Sequence, residues 1–245
     1  METTDQENPS GYFSEFSTLG LLDDETLNDI DSRTSSTDSF IEQPHEVVST
    51  IKIGDLPVKF LHFPYKGLSF QIWPSAVVLA KYFHYQISNN LLDIKNKNIL
   101  ELGSGTGFLG AYLSLQGAHS IVTDLGKTVE NMKTTLKMNE LTEKTTISSS
   151  GNSHVALAQE LDWCNPPSKD TILSWFQSMN NATDKEAIIP SSEPKQTVDI
   201  ICATDCVYER TVHNALLQTL LLVCEPTTQI FFANVKRLEF LFNTN

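Results

Sequence analysis

The 245-residue chain has a formal net charge of −13 and is 40% hydrophobic, enough apolar content for one folded domain with appendages. The charge is uneven: residues 1–45 hold eleven acids and one arginine, a local net of −10 that leaves −3 for the rest. No basic stripe is present, so the electrostatic footprint of a nucleic-acid binder is lacking, and no apolar run reaches the length of a membrane span. The four cysteines, Cys164, Cys202, Cys206 and Cys224, form no Cys-x-x-Cys pair, which favours free thiols in a reducing compartment over a zinc site. Met1 is followed by acids rather than by a basic and then apolar leader. Such a start argues against a secretory signal. A monomer in the cytosol, with the nucleus as a second location, is expected.

Residues 1–45 have the composition of a disordered acidic tail, relieved by a Phe13, Phe16, Leu19, Leu21 and Leu22 cluster. The folded domain is expected over 46–245. It opens with two β-rich runs, 47–53 and 58–63, around a turn-like Gly54-Asp55-Leu56-Pro57, the pattern of a hairpin. Pro74 suits the first turn of a helix. That helix continues to Asn89 and Asn90, with an expected apolar face of Val77, Val78, Tyr82 and Tyr85. Strands are then predicted at 98–102, 119–124, 155–161, 198–203 and 229–235, with helices near 107–117, 127–139 and 210–224. This alternation predicts an α/β fold with a doubly wound, mainly parallel sheet. Residues 140–153 read as a polar loop. Residues 165–197 read as a loop insertion, a lid or a disordered segment, with one short amphipathic piece at 172–176.

The chain is organised around Ile99-Leu100-Glu101-Leu102-Gly103-Ser104-Gly105-Thr106-Gly107. An apolar strand runs into a glycine loop that opens a helix. Glycines let the backbone approach a ligand closely, and the free N–H groups of a helix start favour an anionic group. Asp124 ends the next strand, 21 residues past Gly103, where an acid accepts hydrogen bonds from ribose hydroxyls. The third glycine of a dinucleotide fingerprint is absent, because Phe108 stands there. Ligands in such sheets bind outside the carboxyl ends of the strands. Those ends carry Gly103 to Gly107, Asp124, Asp162-Trp163 and Thr204 to Tyr208. Trp163 can lie on an adenine face, Asp162 can accept from its exocyclic amine, and Asp205 stands where a substrate would meet a bound group.

The Glu-x-Gly-x-Gly-x-Gly order resembles motif I of the class I S-adenosylmethionine (SAM) methyltransferases. Together with Leu161-Asp162-Trp163, Asp205-x-x-Tyr208 and the Trp73-Pro74-Ser75 entry, it resembles the seven-β-strand protein lysine methyltransferases, methyltransferase family sixteen. Its methyltransferase-like twenty-one branch is the most similar, and known members of that branch modify chaperones, AAA ATPases and elongation factors. The resemblance spans 47–237 and implies a Rossmann-like methyltransferase sheet, SAM as cofactor and a lysine of a cellular protein as acceptor. It implies that Glu101, Gly103, Gly105 and Gly107 shape the pocket for the methionine and ribose parts. It further implies that Asp124 holds the ribose, Asp162 and Trp163 border the adenine, and Trp73 lines the pocket. Ala203 would face the donor, and Asp205 and Tyr208 would flank the lysine channel as catalytic residues.

Blander roles exist for each residue. Asp205 could cap the following helix, Tyr208 could pack, and Trp73 and Trp163 could be core aromatics. Rival functions are a methyltransferase for another acceptor and a non-catalytic interaction protein. The family continues past strand five with a helix and two antiparallel strands, for which 238–245 are too few residues. A C-terminal truncation is therefore expected, leaving strand five as an apolar edge and this form less stable or less active than a full-length relative.

Overall fold

The computed structural model describes residues 46–63, 65–141, 155–183 and 197–235. The acidic tail, the 140–153 loop beyond 141 and the question of strands after 235 lie outside these residues. The hairpin forms from β1 (Val47–Ile53) and β2 (Leu56–His62), paired antiparallel from Val47–His62 to Ile53–Leu56. Its turn is shorter than expected, because Leu56 and Pro57 already pair with Ile53 and Lys52. Gly54, at φ +61°, reverses the chain against His84, and a Cβ there would lie 2.4 Å from the imidazole.

Five strands make the main sheet, β3 (Asn98–Leu102), β4 (His119–Asp124), β5 (Ala156–Glu160), β6 (Ile200–Thr204) and β7 (Gln229–Ala233). They are all parallel, in the order β5-β4-β3-β6-β7. The order reverses at β3, so the crevice between β3 and β6 at their carboxyl ends is the place for a ligand. Helices cover both faces: α1 (Pro74–Ser88), α2 (Phe108–Leu115), α3 (Val129–Met138), α4 (Lys169–Thr183) and α5 (His213–Val223). Every residue of β3 is buried, and its alternation splits the core. Leu100 and Leu102 join Ile121, Leu157 and Ile201 under α4 and α5, while Glu101 faces α2 and donates no side to the solvent.

Two expectations are corrected. Within the expected 165–197 insertion, the described part is not a plain loop: α4 is a 15-residue helix over Lys169–Thr183, and Ile172, Phe176 and Met179 enter the core. Those three recur at i, i+4 and i+7, one helix face, but the surrounding Ser, Asn and Gln hid the period. The apolar face of α1 is Ala76, Leu79, Ala80 and Phe83 with Val77, whereas Tyr82 and Tyr85 are exposed. Val77, Leu79 and Phe83 supply most of that face, and the Phe83 ring packs tilted at 55° against Phe231 of β7, with 4.9 Å between ring centroids. The hairpin forms a two-stranded sheet of its own. Its strand β2 is tied to α3 by side chains: Asn139 bridges the Lys59 N–H and C=O (2.9 and 2.7 Å), and Thr135 and Asn131 do the same for Leu61. These amides satisfy a strand edge that would otherwise be open. Among the described residues β7 ends the sheet, with Ile230 and Phe232 exposed.

Candidate functional site

The glycine loop is built by hydrogen bonds that its own strand neighbours supply. Ser104 N–H donates to Thr123 O (2.8 Å), its hydroxyl accepts from Thr123 N–H (2.9 Å), and Thr123 Oγ1 donates to Glu101 O (2.7 Å). Gly105 N–H donates to Asp124 Oδ2 at 2.9 Å, and Leu125 N–H to Asp124 Oδ1 at 2.7 Å. The loop is therefore clamped to the end of β4. Gly103 (φ +65°) and Gly105 (φ +53°) are both left-handed, a region that costs other residues free energy. A Cβ on Gly103 would also sit 2.7 Å from Cys206 Sγ and 3.0 Å from the Trp163 ring.

Beyond the loop lies a crevice of about 350 Å³, the scale of a small-molecule site. The structure brings Trp73, Gly103, Gly105, Asp124, Asp162, Trp163, Asp205 and Tyr208 together on its walls. Trp73 is held there by its indole N–H, which donates to Leu68 O at 3.0 Å. Asp162 accepts from Cys164 N–H at 2.9 Å, fixing the turn that presents Trp163. Burial raises the Asp124 carboxyl above its ordinary value, and the two loop N–H groups pull against that rise. Each of its oxygens keeps a lone pair for a hydroxyl donor.

Three expected residues stand elsewhere. Glu101, Gly107 and Ala203 do not line the crevice. Glu101 points into the other face, where Oε2 accepts from Gly110 N–H at 2.8 Å. It thus fills the helix-start position that was expected to draw an anionic ligand. Burial in a site without a counter-charge pushes its carboxyl up to about 8. Gly107 faces Met132 of α3, and Ala203 is fully buried beneath α5, with its neighbour Thr204 on the wall instead.

Sequence reading missed Leu68, Ser69, Leu125 and Val212 as wall residues, while Thr204 stands at the strand end already singled out. Leu125 was findable, since it adjoins the strand end at Asp124. Leu68 and Ser69 were not, because only the tertiary fold lays the 67–73 segment over Gly105: a Cβ there would lie 3.3 Å from Ser69 O. Cys206 is also on the wall but is 2% exposed, and burial pushes its thiol far up, so it is a packing group.

Asp205 does not cap the next helix; Glu209 accepts from Thr211 N–H there. The Asp205 carboxylate instead accepts from Val235 N–H (Oδ1, 3.0 Å) and from the Ser75 hydroxyl (Oδ2). Tyr208 is half exposed at the mouth. A second cavity of about 260 Å³ lies beyond them, lined by Asp205, Val207, Tyr208, Arg210, His213, Asn234 and Val235.

Among the described residues the first crevice carries three carboxylates, Asp124, Asp162 and Asp205, and no lysine or arginine. A pyrophosphate would meet like charge there, which removes the physical case for a dinucleotide. A cationic sulfonium joined to a nucleoside fits: hydroxyls to Asp124, a flat base against Trp163, and no Cβ at Gly103 or Gly105 to block its approach. A profile of the family described as lysine methyltransferase matches residues 61–174 and 173–240.

The chain belongs to the lysine methyltransferase family.

Curated relatives agree with that membership. EEF1A lysine methyltransferase 3 of Xenopus tropicalis is 30% identical over 173 residues, 71% of this chain and 60% of that protein. Protein-lysine methyltransferase METTL21E of Bos taurus is 30% identical over 171 residues, covering 69% of this chain and 48% of its own length. Protein-lysine N-methyltransferase rrg1 of Schizosaccharomyces pombe is 34% identical over 149 residues, 59% and 39% of the two chains. The matched segment thus spans from about two-fifths to three-fifths of these lysine methyltransferases.

Proposed function

We propose that this chain is an SAM-dependent protein-lysine N-methyltransferase acting on a cellular protein. The observation that carries the reading is the placement of Asp205 and Tyr208 in one crevice with Gly103, Gly105, Asp124 and Trp163. The cofactor would supply an electrophilic methyl on sulfur, transferred in line as the new N–C bond forms and the S–C bond breaks. Asp124 would hold the ribose hydroxyls, Trp163 the base and Asp162 its exocyclic amine. A free lysine titrates near 10.4, so the acceptor arrives as an ammonium. Asp205 would hold and orient it at the crevice mouth, and its proton would leave to water before transfer. Most of the acceleration would come from fixing two reactants in line.

A protein acceptor is favoured over nucleic acid by the wall's three carboxylates and lack of cations, which oppose a phosphate backbone. The relatives' names include an elongation-factor methyltransferase, which makes elongation factor 1A the first acceptor to try, ahead of chaperones and AAA ATPases. The acting unit in this reading is a single chain, since one copy supplies every wall residue. The reading places it in the cytosol, with the nucleus as a second location, on the support of four free thiols. Among the described residues no helix is long and apolar enough to cross a membrane.

Calorimetric titration with SAM and S-adenosylhomocysteine is the test, with Asp124→Ala alongside. Saturable binding that the substitution weakens by about ten-fold or more, the loss of two charge-assisted hydrogen bonds, is expected. Transfer of labelled methyl groups to proteins of a cell extract, abolished by Asp205→Ala, should follow. A protein that melts cooperatively and binds neither compound would refute the reading.

A further inference from the structure

Asp205 is held in a way that no other carboxylate of the crevice shares. Asp124 is bound by N–H groups of the loop it serves, and Asp162 by its own turn. Asp205 is gripped from two distant elements. Ser75 comes from the first turn of α1, 130 positions earlier in the chain. Val235 lies just past β7, 30 positions later. Each carboxylate oxygen therefore accepts one hydrogen bond from a separate element. The backbone is committed as well. Asp205 sits at φ +51°, a conformation that non-glycine residues keep only when their surroundings enforce it. Its own N–H donates to Ala233 O at 2.9 Å, continuing the β6–β7 pairing past the strand end.

The place so enforced is a boundary. Asp205 and Tyr208 are the two residues shared by the 350 Å³ crevice and the 260 Å³ cavity. The glycine loop, Asp124 and Trp163 lie on one side, and Val207, Arg210, His213, Asn234 and Val235 on the other. Ser75 is on neither wall and is 3% exposed. Its hydroxyl stands among the first residues of α1, where it could have satisfied a local backbone group; it points at Asp205 instead.

We propose that Ser75 is a positioning residue: with the Val235 amide it fixes the Asp205 carboxylate on the wall between the two cavities. The acceptor amine, entering through the second cavity, then meets the remaining lone pairs of Asp205 while the methyl donor occupies the first. This rests on the methyltransferase reading above. It also makes the chain after β7 part of the site's geometry, because the Val235 N–H is one of the two grips.

The test compares Ser75→Ala with Ser75→Thr, which keeps the hydroxyl. Three quantities are read: affinity for S-adenosylhomocysteine by calorimetry, tritium transfer from SAM into proteins of a cell extract, and hydrogen exchange at the Val235 amide. Ser75→Ala should keep S-adenosylhomocysteine affinity within about two-fold, since Ser75 itself lines neither cavity, yet lower transfer by about ten-fold or more through lost orientation. Its Val235 amide should exchange about ten-fold faster as the carboxylate loosens. Ser75→Thr should restore both. Unchanged transfer, unchanged exchange, or transfer and cofactor affinity falling in step in Ser75→Ala would each overturn the proposal. Wild-type protein that neither binds S-adenosylhomocysteine nor transfers methyl groups would instead remove the functional reading and, with it, the role assigned to Ser75. The exchange measurement would still decide whether Ser75 holds Asp205.

Discussion

Replacing Glu101 with glutamine should make the protein's stability nearly independent of pH across the neutral range. Glu101 is buried in the central strand, where its carboxyl accepts from the Gly110 N–H. Burial moves its carboxyl from an ordinary 4.5 to about 8. Between those values the folded protein holds a proton that the unfolded chain has released. The contribution of Glu101 to stability is therefore greatest below about 4.5 and falls as pH rises, by up to about 1.4 kcal/mol per unit, until the folded group ionises near 8. From pH 6 to 7.5 this amounts to about 2 kcal/mol. Asp124, also raised by burial, acts with the same sign, so the comparison is best repeated in an Asp124→Asn background. Glutamine keeps an oxygen for the Gly110 N–H and has nothing to ionise. Urea unfolding followed by circular dichroism from pH 5.5 to 8.5 should show a falling wild-type curve and a flat Glu101→Gln curve that meets or exceeds it above pH 7. A wild-type curve that rises through this range would refute the reasoning. So would a variant weaker by more than about 2 kcal/mol at pH 7.5, the cost of losing an ionised and needed carboxylate.

The other predictions concern the cradle and the core. Gly103→Ala puts a Cβ 2.7 Å from Cys206 Sγ and 3.0 Å from the Trp163 ring at φ +65°. Affinity for S-adenosylhomocysteine should fall by about ten-fold or more, from backbone strain plus a displaced ring; unchanged calorimetric affinity would reject Gly103 as a cofactor wall. Ile172→Ala empties a fully buried position of α4 and should cost about 2–4 kcal/mol in chemical denaturation. A loss below about 0.5 kcal/mol, the range of surface changes, would mean that α4 does not belong to the core.

Much of this fold and part of its site were legible in the amino-acid order. Strands β3 and β4 end where expected, at Leu102 and Asp124, because each carries an apolar centre, Ile99-Leu100 and Ile121-Val122, of the kind a buried parallel strand needs. The glycine loop was readable because left-handed backbone selects glycine. Asp124, Asp162, Trp163 and Asp205 were readable because parallel strands all deliver their carboxyl ends to one edge. Chain order alone could not decide which way a side chain faces once two elements compete for it. Glu101 belongs to the loop motif, yet strand alternation turns it under α2, away from the crevice. Tyr82 and Tyr85 satisfy a helical period, yet the fold buries the side of α1 that carries Val77, Leu79, Ala80 and Phe83 and leaves both tyrosines exposed. Ser75 reaches Asp205 only because α1 and β6, distant in sequence, are neighbours in space. Local pattern reports what a residue can bury. The partner it is buried against is set by packing among elements far apart in the chain, and in this protein that packing decides which acids face the crevice and how the one at its mouth is held.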